Sequence, residues 1–351
     1  MARADRHMSL RVTSFDGTPA EWDALADRER ETGGTICHRF AWRPLIEETF
    51  RHECFSLAAR DDAGALQGIL PLVRVRSRLF GHYLVSMPFL NAGGPIGTPE
   101  AIEALATHAR DMALTDRVDL LELRSVRELP VPLEVSHRKI TVVLPLPDDP
   151  AALVGRFPAK LRSQVRRAEK EGVEVRFGAD QVPGFYRVFS RHMRDLGTPV
   201  LPRRFFEALV RHFPEEALFG VAWLGGEPIA AGCGFRWHDT FEITWASALA
   251  EHNRIAANMG LYRAFMEKVI GDGVREFDFG RCTPGSGTHR FKRQWGSEDR
   301  PLWWYQVAPR GVAATPSPDA GGALSLGPRL WRHLPLPIAN RLGPLLVRSI
   351  P

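Results

Sequence analysis

Hydrophobic and polar positions along this chain change period at short intervals, and the same succession of periods occurs twice. Residues 54–60, 66–75 and 83–87 are alternating or apolar runs of strand length, with an acidic-glycine turn at Asp61, Asp62 and Gly64. Such runs bounded by turn residues predict β-strands. Helical spacing precedes them at 42–50 and follows at about 99–114, and a buried strand is expected at 118–124. Further on, 205–213 reads as a helix and 218–224 as a strand, turned by Gly225, Gly226 and Glu227. Strands follow at 229–237 and 241–248, joined through His238, Asp239 and Thr240. A helix at about 257–270 stops at Gly271 or Gly273 and gives way to a strand at 275–280. Helix, hairpin, strand, helix, strand is therefore repeated in element order, not in matched residues. Residues of about 54–124 and 218–281 are expected to be two copies of one mixed-sheet unit.

Length agrees with two units: 351 residues can fill two ordinary domains, each with its own core. The expected division is 1–150, 151–310, and a linker with an apolar basic tail over 311–351. A hydrophobic share of 44% and a charged share of 25% are those of a soluble globular chain. The opening residues lack the apolar core of a secretory signal, and no run is long enough to span a bilayer. Cys37, Cys54, Cys233 and Cys282 are scattered, without a C-x-x-C pair. They point away from a zinc site or disulfide framework and fit a reducing cytoplasm. A net charge of +5 permits an anionic substrate and does not call for DNA.

Candidate chemistry concentrates after the second long helix. In Glu276-Phe277-Asp278-Phe279-Gly280-Arg281, the two phenylalanines share one face of a strand and Asp278 points to the other. A loop with Pro284, Gly285 and Gly287 follows, then His289-Arg290-Phe291-Lys292-Arg293-Gln294-Trp295-Gly296. Arg281, His289 and Lys292 thus converge near one strand end, where glycines let a polar ligand approach the backbone. Lys292 could stabilise a developing oxyanion or be a surface lysine. His289 could act as a base near neutral pH or be structural. Asp278 could accept a proton or cap nearby backbone groups.

Two further segments carry charge in a pattern. Residues 158–171 read as a helix with Leu161, Val165 and Ala168 on one face and Arg162, Arg166 and Lys170 on another. Between 156 and 176 there are seven basic and three acidic residues, so the face either meets an anionic group or is simply solvated. Gly197 and Pro199 stop a helix after Arg194 and Asp195. Residues 311–326 read as a flexible linker. The apolar stretch 330–350 has only arginines as fixed charges, so it packs back on its own domains or lies on a membrane surface.

A meander followed by a helix and a further strand resembles the core order of the GNAT acyltransferase fold. Two copies resemble the Fem family of non-ribosomal aminoacyl-transferases and related FemAB-like acetyltransferases over about 10–310. The matching motifs are Phe157-Pro158-Ala159-Lys160-Leu161-Arg162 with its continuation to Gly172, Met193-Arg194-Asp195-Leu196-Gly197-Thr198-Pro199, Phe277-Asp278-Phe279-Gly280-Arg281, and Phe291-Lys292 with Trp295-Gly296. Together they look like the subgroup associated with PEP-CTERM/exosortase and exopolysaccharide loci. The resemblance implies an α/β fold with mixed sheets in tandem GNAT-like domains. No charged heptad stretch interrupts the second domain, so the coiled-coil arm of the peptidoglycan-bridge enzymes is expected to be absent. It also implies a cytoplasmic, metal-independent acyl transfer at the inner face of the membrane, to an amine-bearing acceptor that can be phosphate-linked. Lys292 matches the active-site lysine, and Arg194, Asp195 and Thr198 match the acceptor border. Arg162 or Arg166 would hold a phosphate, with Arg281 beside the substrate. Of the GNAT phosphate-binding signature only Arg254 fits, so the donor stays open between acyl-CoA and aminoacyl-tRNA. A non-catalytic GNAT scaffold is the remaining alternative.

Overall fold

The computed structural model describes residues 9–77, 80–311 and 326–350. They fall into two compact units. The first contains β1 (Arg11–Ser14), α1 (Pro19–Arg28), α2 (Trp42–Phe50), β2 (Glu53–Arg60), β3 (Leu66–Ser77), β4 (Gly81–Val85), β5 (Ile96–Gly97), α3 (Pro99–Thr115), β6 (Leu120–Ser125) and β7 (Glu134–Ser136). The second contains β8 (Ile140–Pro145), α4 (Pro150–Arg156), α5 (Ala159–Lys170), β9 (Glu174–Phe177), α6 (Val182–Leu196), α7 (Arg203–His212), β10 (Ala217–Leu224), β11 (Glu227–Trp237), β12 (Thr240–Ala248), α8 (Ala257–Gly271), β13 (Glu276–Cys282), α9 (Gly287–Arg293) and β14 (Glu298–Pro301). The chain then supplies β15 (Trp303–Val307), α10 (Leu326–Trp331) and α11 (Leu336–Val347).

Each unit is built on one sheet. The first runs β1-β2-β3-β4-β6-β15-β7, with β5 paired to β3. Its first four strands are antiparallel neighbours, and α3 then carries the chain across to β6, parallel to β4. The second sheet runs β14-β8-β13-β12-β11-β10-β9. Strands β9 to β12 are antiparallel neighbours, and α8 carries the chain to β13, parallel to β12. The two topologies are the same. Both parallel ladders are also three residues long, Tyr83–Val85 against Leu120–Glu122 and Thr240–Glu242 against Glu276–Asp278.

Local chemistry sets the elements. Thr98 caps α3 by accepting from the Ala101 N–H at 3.3 Å, with Pro99 in the first turn. Ile102, Leu105 and Ala109 of α3 are then buried against Leu57, Leu70 and Leu121 of the sheet. In the second unit Phe265 of α8 is fully buried. A Cβ at Gly220 or Gly232 would come within 2.8 Å of its ring, so glycines on β10 and β11 let the helix approach. Truncating Phe265 to Ala should cost about 3–5 kcal/mol.

Two features of the division differ from the expected 1–150 and 151–310. Strand β8 lies before residue 150 yet pairs with β13. Strand β15 lies inside the expected second domain yet pairs with β6 and β7, and Trp303 and Trp304 pack there. The strand beside each unit's last parallel strand therefore comes from the far half of the sequence. Residues 326–348 belong with the second unit, so this part of the tail packs back on that unit. The linker expected over 311–326 lies almost wholly outside the described residues.

Candidate functional site

The β12–β13 ladder ends at the pair Glu242–Asp278, although β12 continues to Ala248 and β13 to Cys282. Two irregularities accompany the parting. A bulge separates Cys233 from Gly234 where β11 pairs with β12, leaving Thr244 as the extra residue, and β13 shifts register against β8 between Asp278 and Arg281. Gly280 at this shift has φ 72°, a left-handed conformation that glycine adopts without the clash of a Cβ. Two carboxylates thus stand in register at the end of a short parallel ladder.

Asp278 is half-buried by surface area but densely surrounded. Its Oδ1 accepts from the Thr141 hydroxyl and from the Gly280 N–H, the latter at 2.7 Å. Burial raises its pKa above the ordinary 3.8, opposed by those two hydrogen bonds and by the charge of Lys292. The neighbouring Glu242 accepts from the Thr244 hydroxyl at 3.2 Å. A carboxyl of raised pKa at a strand parting is suited to taking a proton from an attacking amine.

Lys292 sits on α9, which Ser286 caps by accepting from the His289 N–H. Its side chain is only 4% exposed, and Nζ donates to the carbonyls of Gly280 at 2.5 Å and Arg281 at 2.9 Å. Burial lowers its pKa, against the opposing pull of Cys282, Asp278 and Glu242. Lys292 therefore reaches the backbone of Arg281 as expected, but as a donor to irregular backbone, not as an ammonium open to a reacting carbonyl. The physical reason is that a buried ammonium needs acceptors, and the two carbonyls beside the register shift supply them.

The other expected residues scatter. His289 has partners of its own: Nδ1 accepts from the Gly285 N–H at 2.9 Å, and Nε2 lies 3.0 Å from Asp299. Arg162 is turned back to donate to the Phe157 carbonyl at 2.6 Å, and Arg166 is exposed, so the two guanidiniums do not converge. The buried face Leu161, Val165 and Ala168 is as the spacing required. Arg194 bonds Asp195 at 2.6 Å and the Leu334 carbonyl at 3.1 Å, tying α6 to the segment before α11. Thr198 follows the left-handed Gly197 and donates its N–H to the Met193 carbonyl. Arg254 is exposed in a 3-10 turn just before α8, and its carbonyl accepts from Arg167. The first turn of α8 has no side-chain cap, which leaves a helix start of the kind that takes phosphate oxygens.

Sequence reasoning missed Glu242 and Thr141. Glu242 sits in a strand of plain amphipathic pattern, and only the parallel register puts it beside Asp278. Thr141 is on β8, whose pairing with β13 spans more than 130 positions of sequence.

Comparison with known proteins follows this geometry. Residues 155–293 match the family described as Acetyltransferase (GNAT) domain. A search among curated proteins by sequence finds no match. Among solved structures, FemX aligns with TM-score 0.64 and 14% identity, over 84% of this chain and 98% of that one. A tandem GNAT protein from the clavulanic acid biosynthesis pathway aligns with TM-score 0.55 and 14% identity, over 87% and 100%. The C-terminal domain of a putative lysylphosphatidylglycerol synthetase from Agrobacterium fabrum aligns with TM-score 0.53 and 13% identity, over 82% and 92%. At such identities the likeness is one of fold. The chain has the tandem GNAT-like fold, and residues 155–293 are similar to the GNAT domain family.

Proposed function

We propose that the second unit transfers an acyl or aminoacyl group to an amine, with the donor carbonyl lying where β12 and β13 part. The observation that carries this reading is the pair Glu242–Asp278 at the end of the ladder, one member of which has a raised pKa. The amine nitrogen attacks the carbonyl carbon and Asp278 takes its proton; as the tetrahedral intermediate collapses, the C–S or C–O bond to the carrier breaks and the departing sulfur or oxygen receives that proton. Lys292 acts as a positioning residue: it fixes the carbonyls of Gly280 and Arg281 and lowers the proton affinity of Asp278.

Two donors fit different features. The uncapped start of α8, with Arg254 just before it, favours the pyrophosphate of an acyl-CoA. The resemblance of the motifs to the Fem aminoacyl-transferases favours an aminoacyl donor such as aminoacyl-tRNA. The setting in this reading is cell-envelope or exopolysaccharide assembly, on an amine-bearing acceptor, as in the PEP-CTERM/exosortase-associated subgroup that the motifs resemble.

The test is amide formation on amine acceptors with acetyl-CoA and with aminoacyl-tRNA, in the wild type and Asp278→Asn. Turnover with one donor, lost in the variant while its thermal unfolding is unchanged, supports the reading. No turnover and no thermal shift with either donor leaves the duplicated scaffold as a binding module.

A further inference from the structure

Helix α11 is seated with its small face inward. Ala339 and Gly343 are buried, and a Cβ at Gly343 would come 2.8 Å from the Val200 nitrogen. Asn340 reaches Ser190 of α6, and Arg332 donates to the Leu196 carbonyl. The large apolar residues therefore point outward. Ile338, Leu342 and Leu345 follow helical spacing and are 46%, 41% and 60% exposed. Leu330 on α10 is 71% exposed and Leu196, at the end of α6, 49%. Five of the eight exposed large hydrophobics among the described residues are thus in or beside this segment of the second unit. An amphipathic helix that covers its own core does the opposite.

The charges on the segment have one sign. Arg329, Arg332, Arg341 and Arg348 occur between 326 and 350, with no Asp or Glu. Arg341 and Arg348 are exposed beside the apolar stripe. We propose that this face docks on a membrane surface containing anionic phospholipid, with the leucines in the acyl boundary and the arginines at the headgroups. Charge complementarity selects that occupant: a purely apolar partner would gain nothing from four arginines, and a purely anionic polymer nothing from the stripe. The helix lies on the surface and does not cross it, because α11 is 12 residues long, contains Pro344, and no helix among the described residues is long and apolar enough to span. The inference is independent of the acyl-transfer reading.

Sedimentation of the full chain with phosphatidylcholine vesicles, with and without phosphatidylglycerol, tests it. Binding is expected only with phosphatidylglycerol, weakened by added salt. Arg341→Gln should weaken it about fivefold, the share of one basic residue near an anionic surface. Leu342→Ser with Leu345→Ser should weaken it more than about tenfold, since each buried methylene contributes to insertion. Both sites are exposed, so thermal unfolding should not change; should the double variant fold poorly, Arg341→Gln still decides. No binding, or equal binding to both vesicles, overturns the proposal. A wild-type dimer in solution that the leucine changes dissolve, without vesicle binding, overturns it in favour of a second copy of the chain.

Discussion

The same position in the two units has opposite fates. In the first, the ladder ends at Val85–Glu122, and the chain then closes over the parting. The Ser86 N–H donates to the Glu122 carbonyl, the Ser86 hydroxyl accepts from the Arg124 N–H, and the Gly94 N–H donates to the Arg124 carbonyl. Glu122, the counterpart of Asp278, is held by the Arg124 guanidinium at 2.8 Å and by Gln306 at 2.7 Å, with both members of the ion pair 1% exposed. His38 seals the edge by donating to the Gly94 carbonyl at 2.8 Å. In the second unit Gly280 stands where the first unit has Arg124, and Asp278 is met by the Thr141 hydroxyl and the Gly280 amide. One copy holds its acid in a buried ion pair, and the other holds it with two neutral donors.

Four changes break or sharpen that contrast, beginning with the largest. Asp278→Asn keeps an Oδ1 acceptor for Thr141 and Gly280 but removes the base, so turnover should fall about 10²–10⁴-fold. Burial has raised this group's pKa, so stability tied to it is present at low pH and lost as pH rises through the folded value. The variant should therefore unfold at the same temperature as the wild type or higher at neutral pH, which scanning calorimetry checks. Glu122→Gln should do the reverse. It strands Arg124 in the core and should cost about 3–5 kcal/mol by denaturant unfolding, with turnover per folded molecule unchanged.

The third change is a pH shift. Burial lowers the His38 pKa from 6.5 to about 4, against the opposing pull of its bonds to the Gly94 and Thr35 backbone. A depressed pKa gives stability that is full above 6.5 and lost as pH falls toward 4. That loss should reach about 3 kcal/mol and fall on the first unit, so amides of β4 and β6 should lose exchange protection in acid before those of β12 and β13. The smallest effect is expected from Lys292→Met, at about 1–3 kcal/mol for the two carbonyls left without their donor. The lysine's own pKa is depressed, so its charge is a cost to the fold at neutral pH, not a support. With that charge gone, Asp278 should titrate higher, and the acid limb of the rate profile should move to higher pH.

Much of the fold was legible because the elements that define it are local. The strands 54–60, 66–75, 218–224 and 229–237 are apolar or alternating runs of strand length, and Gly225, Gly226 and Gly197 mark turns that the backbone takes with positive φ. The exchange of β8 and β15 was not legible, since neither strand's pattern says which sheet it will join. At the site, Asp278 and Lys292 stood out through their motif, but the partners each side chain would meet did not. Whether Lys292 would face substrate or backbone depended on the register shift at Gly280, which appears only once β13 is paired. Glu242 was hidden for the same reason: a single acid in an amphipathic strand acquires meaning from its parallel neighbour.

The most direct test of the contrast is a crystal structure with a donor that cannot react, either a thioether analogue of acetyl-CoA or a stable 3′-amide mimic of aminoacyl-tRNA. The account predicts the donor's acyl end between β12 and β13, within hydrogen-bond reach of the strand beyond Glu242 and close to Asp278, with β4 and β6 closed. An acyl end seated beside β4 and β6, or one bound elsewhere while β12 and β13 stay empty, would contradict it.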